Sequence, residues 1–292
     1  APAIYLNDST IAISSGRKGG KGSGTGALGE AWNDLYIYQK ESDWDELKDN
    51  RKFDNLNSKT EDAAGFFNTE KNKFYFTRCE VASATSIDCF IYVSYLVDGT
   101  WSEPEKLNAY INQRGANSRQ ASVTVTGDSL FFCSDREGGF GRYDIYLSTK
   151  NGNENWGPPQ NLGSQINTPF TESSPFLNHK EETLFFSSDG HRGFGGFDIY
   201  LAKGETFEKA EIYNMGAPFN SNKDDLFPYF GDHLGYLSSN RDGGVGKMDI
   251  YSFRIKSEKE IITEISTDES IAGRNSLFSD DYDFDSENDE KI

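Results

Sequence analysis

The chain has 292 residues, with 29 Lys and Arg against 47 Asp and Glu, a formal net charge of −18. That charge excludes non-specific binding to nucleic acid or anionic lipid, since like charges repel over a Debye length. No stretch approaches the ~20 apolar residues of a membrane-spanning helix, and the mixture of 14% aromatics with 29 Gly suits twisted strands joined by tight turns.

The predicted elements fall into five tandem units. The first, residues 1–52, has the strand PAIYL at Pro2, then TIAISSGRKGG from Thr10 and, after a Gly-rich insertion read as a rim flap, NDLYIYQK from Asn33, with Trp44 beyond. The second, 53–107, has GFFN at Gly65, KFYFTRCEVASATSIDCFIYVS from Lys73 and WSEPEKLN from Trp101. The third, 108–162, has ASVTV at Ala121, LFFCSDREGGFGRYDIYLS from Leu130 and WGPPQNLG from Trp156. The fourth, 163–216, has PFLN at Pro175, LFFSSDGHRGFGGFDIYLA from Leu184 and FEKAEIYNMG from Phe207. The fifth, 217–266, has PYFG at Pro228, GYLSSNRDGGVGKMDIYSF from Gly235 and a last strand expected within Glu258–Ser266. Residues 267–292 are acidic and read as a tail or interdomain linker. Because Ala1 falls at the start of the first strand, the chain reads as cut from a longer polypeptide.

The aspartates assigned to the start of each third strand, Asp34, Asp88, Asp144, Asp198 and Asp249, are 54, 56, 54 and 51 residues apart. Four antiparallel strands (A to D) per unit, repeated at that period, predict an all-β, five-bladed β-propeller of four-stranded blades.

The B–C hairpins SDREGGFGRYDIY and SSDGHRGFGGFDIY resemble the WD40-like PD40 repeat of TolB-type propellers, and the chain is similar to Bacteroidota envelope proteins that join such a propeller to a peptidoglycan-binding OmpA-like domain. Components of type IX secretion belong to that group. The resemblance implies a non-catalytic interaction or scaffolding module without cofactor. It also implies a periplasmic, outer-membrane-associated location, a protein or peptide partner, and peptidoglycan reached through neighbouring domains.

Within the hairpins, Asp135, Asp189 and Asn240 are expected to accept N–H groups of their own turns, with the loop glycines supplying positive φ. A ring of calcium loops is the alternative, disfavoured because each loop offers two acidic groups where Ca²⁺ takes about six oxygens; no metal site is assigned. In the second unit Cys79 replaces the turn-fastening residue, and Cys89 is aligned with Ile145, Ile199 and Ile250. A Cys79–Cys89 disulfide in an oxidising compartment competes with two free thiols. Cys133 reads as a buried, inert small residue.

The face formed by the B–C and D–A loops is the expected partner-binding surface. On it lie Arg136, Arg142, Arg192, Arg241, Lys247, Phe140 and Phe194, with Asn112, Arg114, Asn117 and Arg119 from the irregular loop of unit 3. Asp62, Glu172 and Asp225, each three residues before a strand-A anchor, are expected at the mouth of the central channel. Pairing with the loop arginines is preferred there over a bound cation. No HExxH or GxSxG occurs and no catalytic residue is assigned. A glycan-binding or glycoside-hydrolase propeller using these three carboxylates is the alternative.

Overall fold

The computed structural model describes residues 55–255 except 69, 71, 84–85, 153–154, 179–182, 232–233 and 245, together with 3–7, 10–16, 20–21, 32–39, 48–50, 53 and 282–283. These form antiparallel sheets in a propeller-like arrangement. The first sheet runs β1 (Ala3–Asn7), β2 (Thr10–Ser15), β3 (Asp34–Gln39), β4 (Lys48–Asn50). In the second, β5 (Glu61–Asn68), β6 (Lys73–Ser83) and β7 (Ser86–Val97) are followed by the two short strands β8 (Thr100–Trp101) and β9 (Glu105–Lys106), both paired with β7. The third is β10 (Ser118–Val123), β11 (Ser129–Ser134), β12 (Asp144–Thr149), β13 (Gln160–Asn161), and the fourth β14 (Glu172–Asn178), β15 (Thr183–Ser188), β16 (Asp198–Lys203), β17 (Glu211–Asn214). The last is β18 (Asp225–Phe230), β19 (Leu234–Ser239), β20 (Asp249–Ile255), β21 (Tyr282–Asp283).

The expectation of uniform four-stranded blades is corrected here: four sheets have that form, and the second has five strands. The fourth strand of the last sheet comes from Tyr282–Asp283, inside the stretch read as tail, whereas Glu258–Ser266 lies outside the described residues, as do Arg17, Lys18 and Trp44.

The LFF-type runs are apolar on both faces because each sheet is sandwiched between two others. Successive side chains of a strand point to opposite faces, so Leu130 and Phe132 join Tyr75, Ile91 and Trp156 of one core, while Phe131 and Cys133 join Leu184, Phe186 and Tyr200 of the next. Phe185 and Leu201 pack with Phe230 and Phe253, the Phe185 and Phe230 rings stacking at 4.0 Å. Leu35 and Ile37 pack with Phe67 and Phe74. A smaller core joins Ile11 and Ile13 of the first sheet to Tyr236 of the last. Each fully buried aromatic contributes on the order of 2–3 kcal/mol of burial.

Four of the inner strands, β5, β10, β14 and β18, share a device the sequence does not announce. Each is bulged against its neighbour, and each bulge holds a non-glycine residue in the left-handed region: Ala64 (φ 47°), Gln120 (55°), Ser174 (53°) and Phe227 (56°). Such residues cost about 1–2 kcal/mol each. Around them lies a cavity of about 40 Å³ lined by Ala64, Phe66, Gln120, Ser174, Phe176 and Phe227 among others. That volume suits a few waters and is too small for a sugar ring.

In the second sheet the ladder runs on past Arg78↔Phe90 through Cys79↔Cys89, Glu80↔Asp88 and Val81↔Ile87 to Ser83↔Ser86. Phe90, not Asp88, therefore holds the place of Asp144 and Asp198, and Ile91, not Cys89, that of Ile145 and Ile199. The physical reason is that no glycine opens this turn, so pairing continues. Cys79 and Cys89 are joined as a disulfide, and Cys133 is free and buried.

Candidate functional site

The D–A turns are fastened by one repeated asparagine. Asn57, Asn112, Asn167 and Asn220 each use Oδ1 to accept, and Nδ2 to donate, at a single residue of the preceding sheet: Leu35, Ile91, Ile145 and Ile199. For Asn112 the distances are 2.8 and 2.9 Å. Its amide is thus committed to closing an otherwise unpaired strand edge, and its expected role on a partner surface is corrected.

A second repeat involves nitrogen donors of long or ring side chains. Arg78, Arg136, His191 and Arg241 each donate to the carbonyl immediately before one of those asparagines, at Leu56, Ile111, Ile166 and Phe219. Arg136 is buried, its guanidinium 4.9 Å from the Phe132 and Tyr146 ring centroids; Arg241 stacks over Tyr251 at 4.8 Å. Both were expected on the outer rim. Both instead satisfy orphan turn carbonyls from within, since a guanidinium reaching three acceptors is cheaper to bury than a turn left unsatisfied.

The turn-fastening residues also act differently from expectation. Asp135, Asp189 and Asn240 accept the N–H of Asn117, Thr171 and Asp224 at the entry of their own inner strand, at 2.6, 2.7 and 2.7 Å. The loops themselves are held by the next aspartate: Asp144 accepts from Phe140 N–H and Gly141 N–H, and Asp198 from Phe194 N–H and Gly195 N–H. Asn117 spans Cys89 N–H and Asp135, so it too is structural.

Asp62, Glu172 and Asp225 occupy one equivalent place, the first turn-facing position of β5, β14 and β18, and all are fully buried. They do not line the axial cavity; this corrects their placement at an open channel mouth. Each accepts the backbone N–H and hydroxyl of the residue four earlier: Ser58, Thr168 and Ser221. Arg78 pairs with Asp62 at 2.6 Å and Arg241 with Asp225 at 2.7 Å, whereas β10 has Ser118 at this place. Glu172 differs. Its third donor is the neutral Ser188 hydroxyl, the residue that reaches over its turn is His191 rather than arginine, and burial pushes its carboxyl up to about 7, with the nearby Asp144 adding to the rise. Burial also raises Asp62, with Arg78 opposing it.

Among the described residues, those exposed on this end include Phe140, Phe170 and Phe194 (50, 47 and 66% exposed) beside Arg142, Arg192, Lys247 and Arg114. Arg142 N–H donates to Phe170 O, which brings the Phe140 loop of the third sheet against the entry turn of the fourth. Arg119 is half-buried over the Tyr143 ring. Phe170, Tyr143 and Gln120 were not singled out by sequence; the one available signal was that Phe170 stands two residues before Glu172, where Thr60 and Lys223 stand before Asp62 and Asp225.

No family model matches the chain, and no curated protein matches it. Solved structures do. A thermostable family-43 glycoside hydrolase is 14% identical over 89% of this chain and 90% of its own, with a TM-score of 0.55. The endo-arabinase of Bacteroides thetaiotaomicron VPI-5482 is 15% identical over 88% and 94%, TM-score 0.55. A protein of unknown function from Dyadobacter fermentans DSM 18053 is 13% identical over 86% and 74%, TM-score 0.52. These likenesses establish a shared fold. They also overturn the expectation that this architecture implies no reaction, because the same fold over nearly the same length carries glycoside hydrolases.

Proposed function

We propose that the protein acts on glycans as a glycoside hydrolase, at the loop-bearing end of a ring of five blades. Contact of β1 with β18 and the small core between Ile11, Ile13 and Tyr236 support closure of that ring. The axial cavity is too small for a sugar, so the sugar sits above it, on the end where Phe140, Phe170 and Phe194 offer apolar ring faces.

Glu172 carries the proposal. Of the three equivalent carboxyls it is the one without a cationic partner among the described residues, and its pKa of about 7 leaves it half protonated at neutral pH. A carboxyl tuned to that range is what protonation of a glycosidic oxygen requires, and such a general acid contributes typically 10²–10⁴-fold. Access demands that the turn from Asn167 to Thr171 swing away, since Thr168 covers both carboxyl oxygens. The disulfide fits an oxidising compartment. Together with the PD40-like hairpins it supports the periplasm as the site of action, with envelope glycans or imported polysaccharide as the accessible substrates.

The test compares wild type with Glu172→Gln for release of new reducing ends from arabinan, xylan and peptidoglycan. Loss of at least about 100-fold with binding retained is expected. Undiminished release by the amide variant would transfer the acid role elsewhere.

A further inference from the structure

Arg119 stands on β10 where β5, β14 and β18 have Ala63, Ser173 and Leu226, so the packing of an inner strand does not call for a cation at this place. Its guanidinium carbon lies 5.1 Å from the centroid of the Tyr143 ring, and its Nε is shielded from solvent without a hydrogen-bond partner. Among the described residues no carboxylate is within ion-pair distance of it. Arg78, Arg136 and Arg241, by contrast, all donate to turn carbonyls.

The adjoining residue points the same way. Gln120 accepts from Ser173 Oγ at 3.0 Å and from Ser174 N–H at 2.9 Å, both through Oε1. That fixes the amide with its Nε2 hydrogens as the remaining donors, on a side chain that lines the axial cavity. Tyr143 in turn accepts the Glu172 N–H on its backbone oxygen at 2.8 Å, so Arg119, Tyr143 and Glu172 share the seam between the third and fourth sheets. Of these donors Arg119 Nε is the one shut off from water, and a partly desolvated cation with no carboxylate beside it favours an anion arriving from outside.

We infer that Arg119 receives a carboxylate of the sugar chain and that the substrates are uronic-acid-containing polysaccharides. This rests on the glycan reading above. The guanidinium fork matches a carboxylate in a bidentate geometry, and the Tyr143 ring holds its plane. A chain of net charge −18 repels densely charged polymers, which favours a glycan carrying isolated carboxylates over a heavily sulfated one.

The experiment measures affinities of wild type, Arg119→Met and Arg119→Lys for three probes: glucuronoxylan oligomers, neutral xylan oligomers and dextran sulfate, together with the unfolding midpoint of each variant. Expected is at least ten-fold tighter binding of wild type to the uronate-bearing oligomers than to the neutral ones. Arg119→Met abolishes that preference without changing neutral-oligomer affinity, Arg119→Lys retains part of it, and neither lowers the midpoint. Preference for neutral or sulfated glycans, a uronate preference surviving in Arg119→Met, or a midpoint falling by several degrees would each overturn the role of Arg119. Neutral binding alone leaves the glycan function standing; binding of none of the probes overturns the uronate reading, and the glycan function falls with it only if release from arabinan and peptidoglycan is absent as well.

Discussion

Glu172 and Asp225 hold the same position in successive sheets and the same hydrogen bonds to a Ser or Thr four residues earlier, yet only Asp225 is met by an arginine, Arg241, at 2.7 Å. One repeat therefore yields two kinds of carboxyl, a paired structural one and an unpaired titratable one.

The Asp225–Arg241 pair is buried on the carboxylate side and 17% exposed on the other. Arg241→Met leaves a buried charge alone and also releases the Pro218 and Phe219 carbonyls. A loss of about 3–5 kcal/mol is expected in chemical denaturation. The double variant with Asp225→Asn should recover part of it; a single variant as stable as wild type would show the pair to be dispensable.

Glu172 links stability to pH. Its folded pKa of about 7 exceeds the unfolded value near 4.5, so the native state holds the proton more tightly. The contribution is fully present below about pH 4.5 and is lost as pH rises through 7, by roughly 3 kcal/mol. In Glu172→Gln that pH-dependent component should vanish between pH 4.5 and 7; an unchanged slope would mean that another group supplies it.

The Cys79–Cys89 bridge closes a loop with a sequence separation of 10 and replaces the glycine–aspartate turn of the other sheets. Removing it should cost about 2–3 kcal/mol. Under denaturation, thiol titration should find one reactive group, Cys133, before reduction and three after it. Three before reduction contradicts the bridge.

Gly193 abuts Asp198: a Cβ there runs into Oδ2 of that side chain and lies 2.7 Å from the Tyr200 hydroxyl. Asp198 cannot yield without dropping Phe194 N–H and Gly195 N–H. Gly193→Ala should lose about 2–3 kcal/mol, whereas Gly152→Ala, with open space around it, should lose well under 1 kcal/mol.

The repeat was legible because its punctuation is chemical: Asn–Ser or Asn–Thr before the inner strand, glycines in the hairpin and an aspartate after them. Which way a long side chain turns is not encoded by spacing, so Arg136 and Arg241 read as rim residues although they plug the turns from inside. The second sheet slipped by two residues because its hairpin has no glycine to mark where pairing ends. The bulges at Ala64, Gln120, Ser174 and Phe227 were invisible, as these residue types share nothing that favours a left-handed backbone. The carboxyl positions were readable from the repeat, but the singularity of Glu172 depends on which neighbour reaches it.

Action on glycans at the loop-bearing end is tested most directly by following new reducing ends from a polysaccharide panel across pH, with the disulfide intact. Expected is release that is steady under mildly acidic conditions and declines above about pH 7 as Glu172 loses its proton, with the Gln variant inactive throughout. No release from any polysaccharide at any pH, together with no retention of the protein on them, would contradict it.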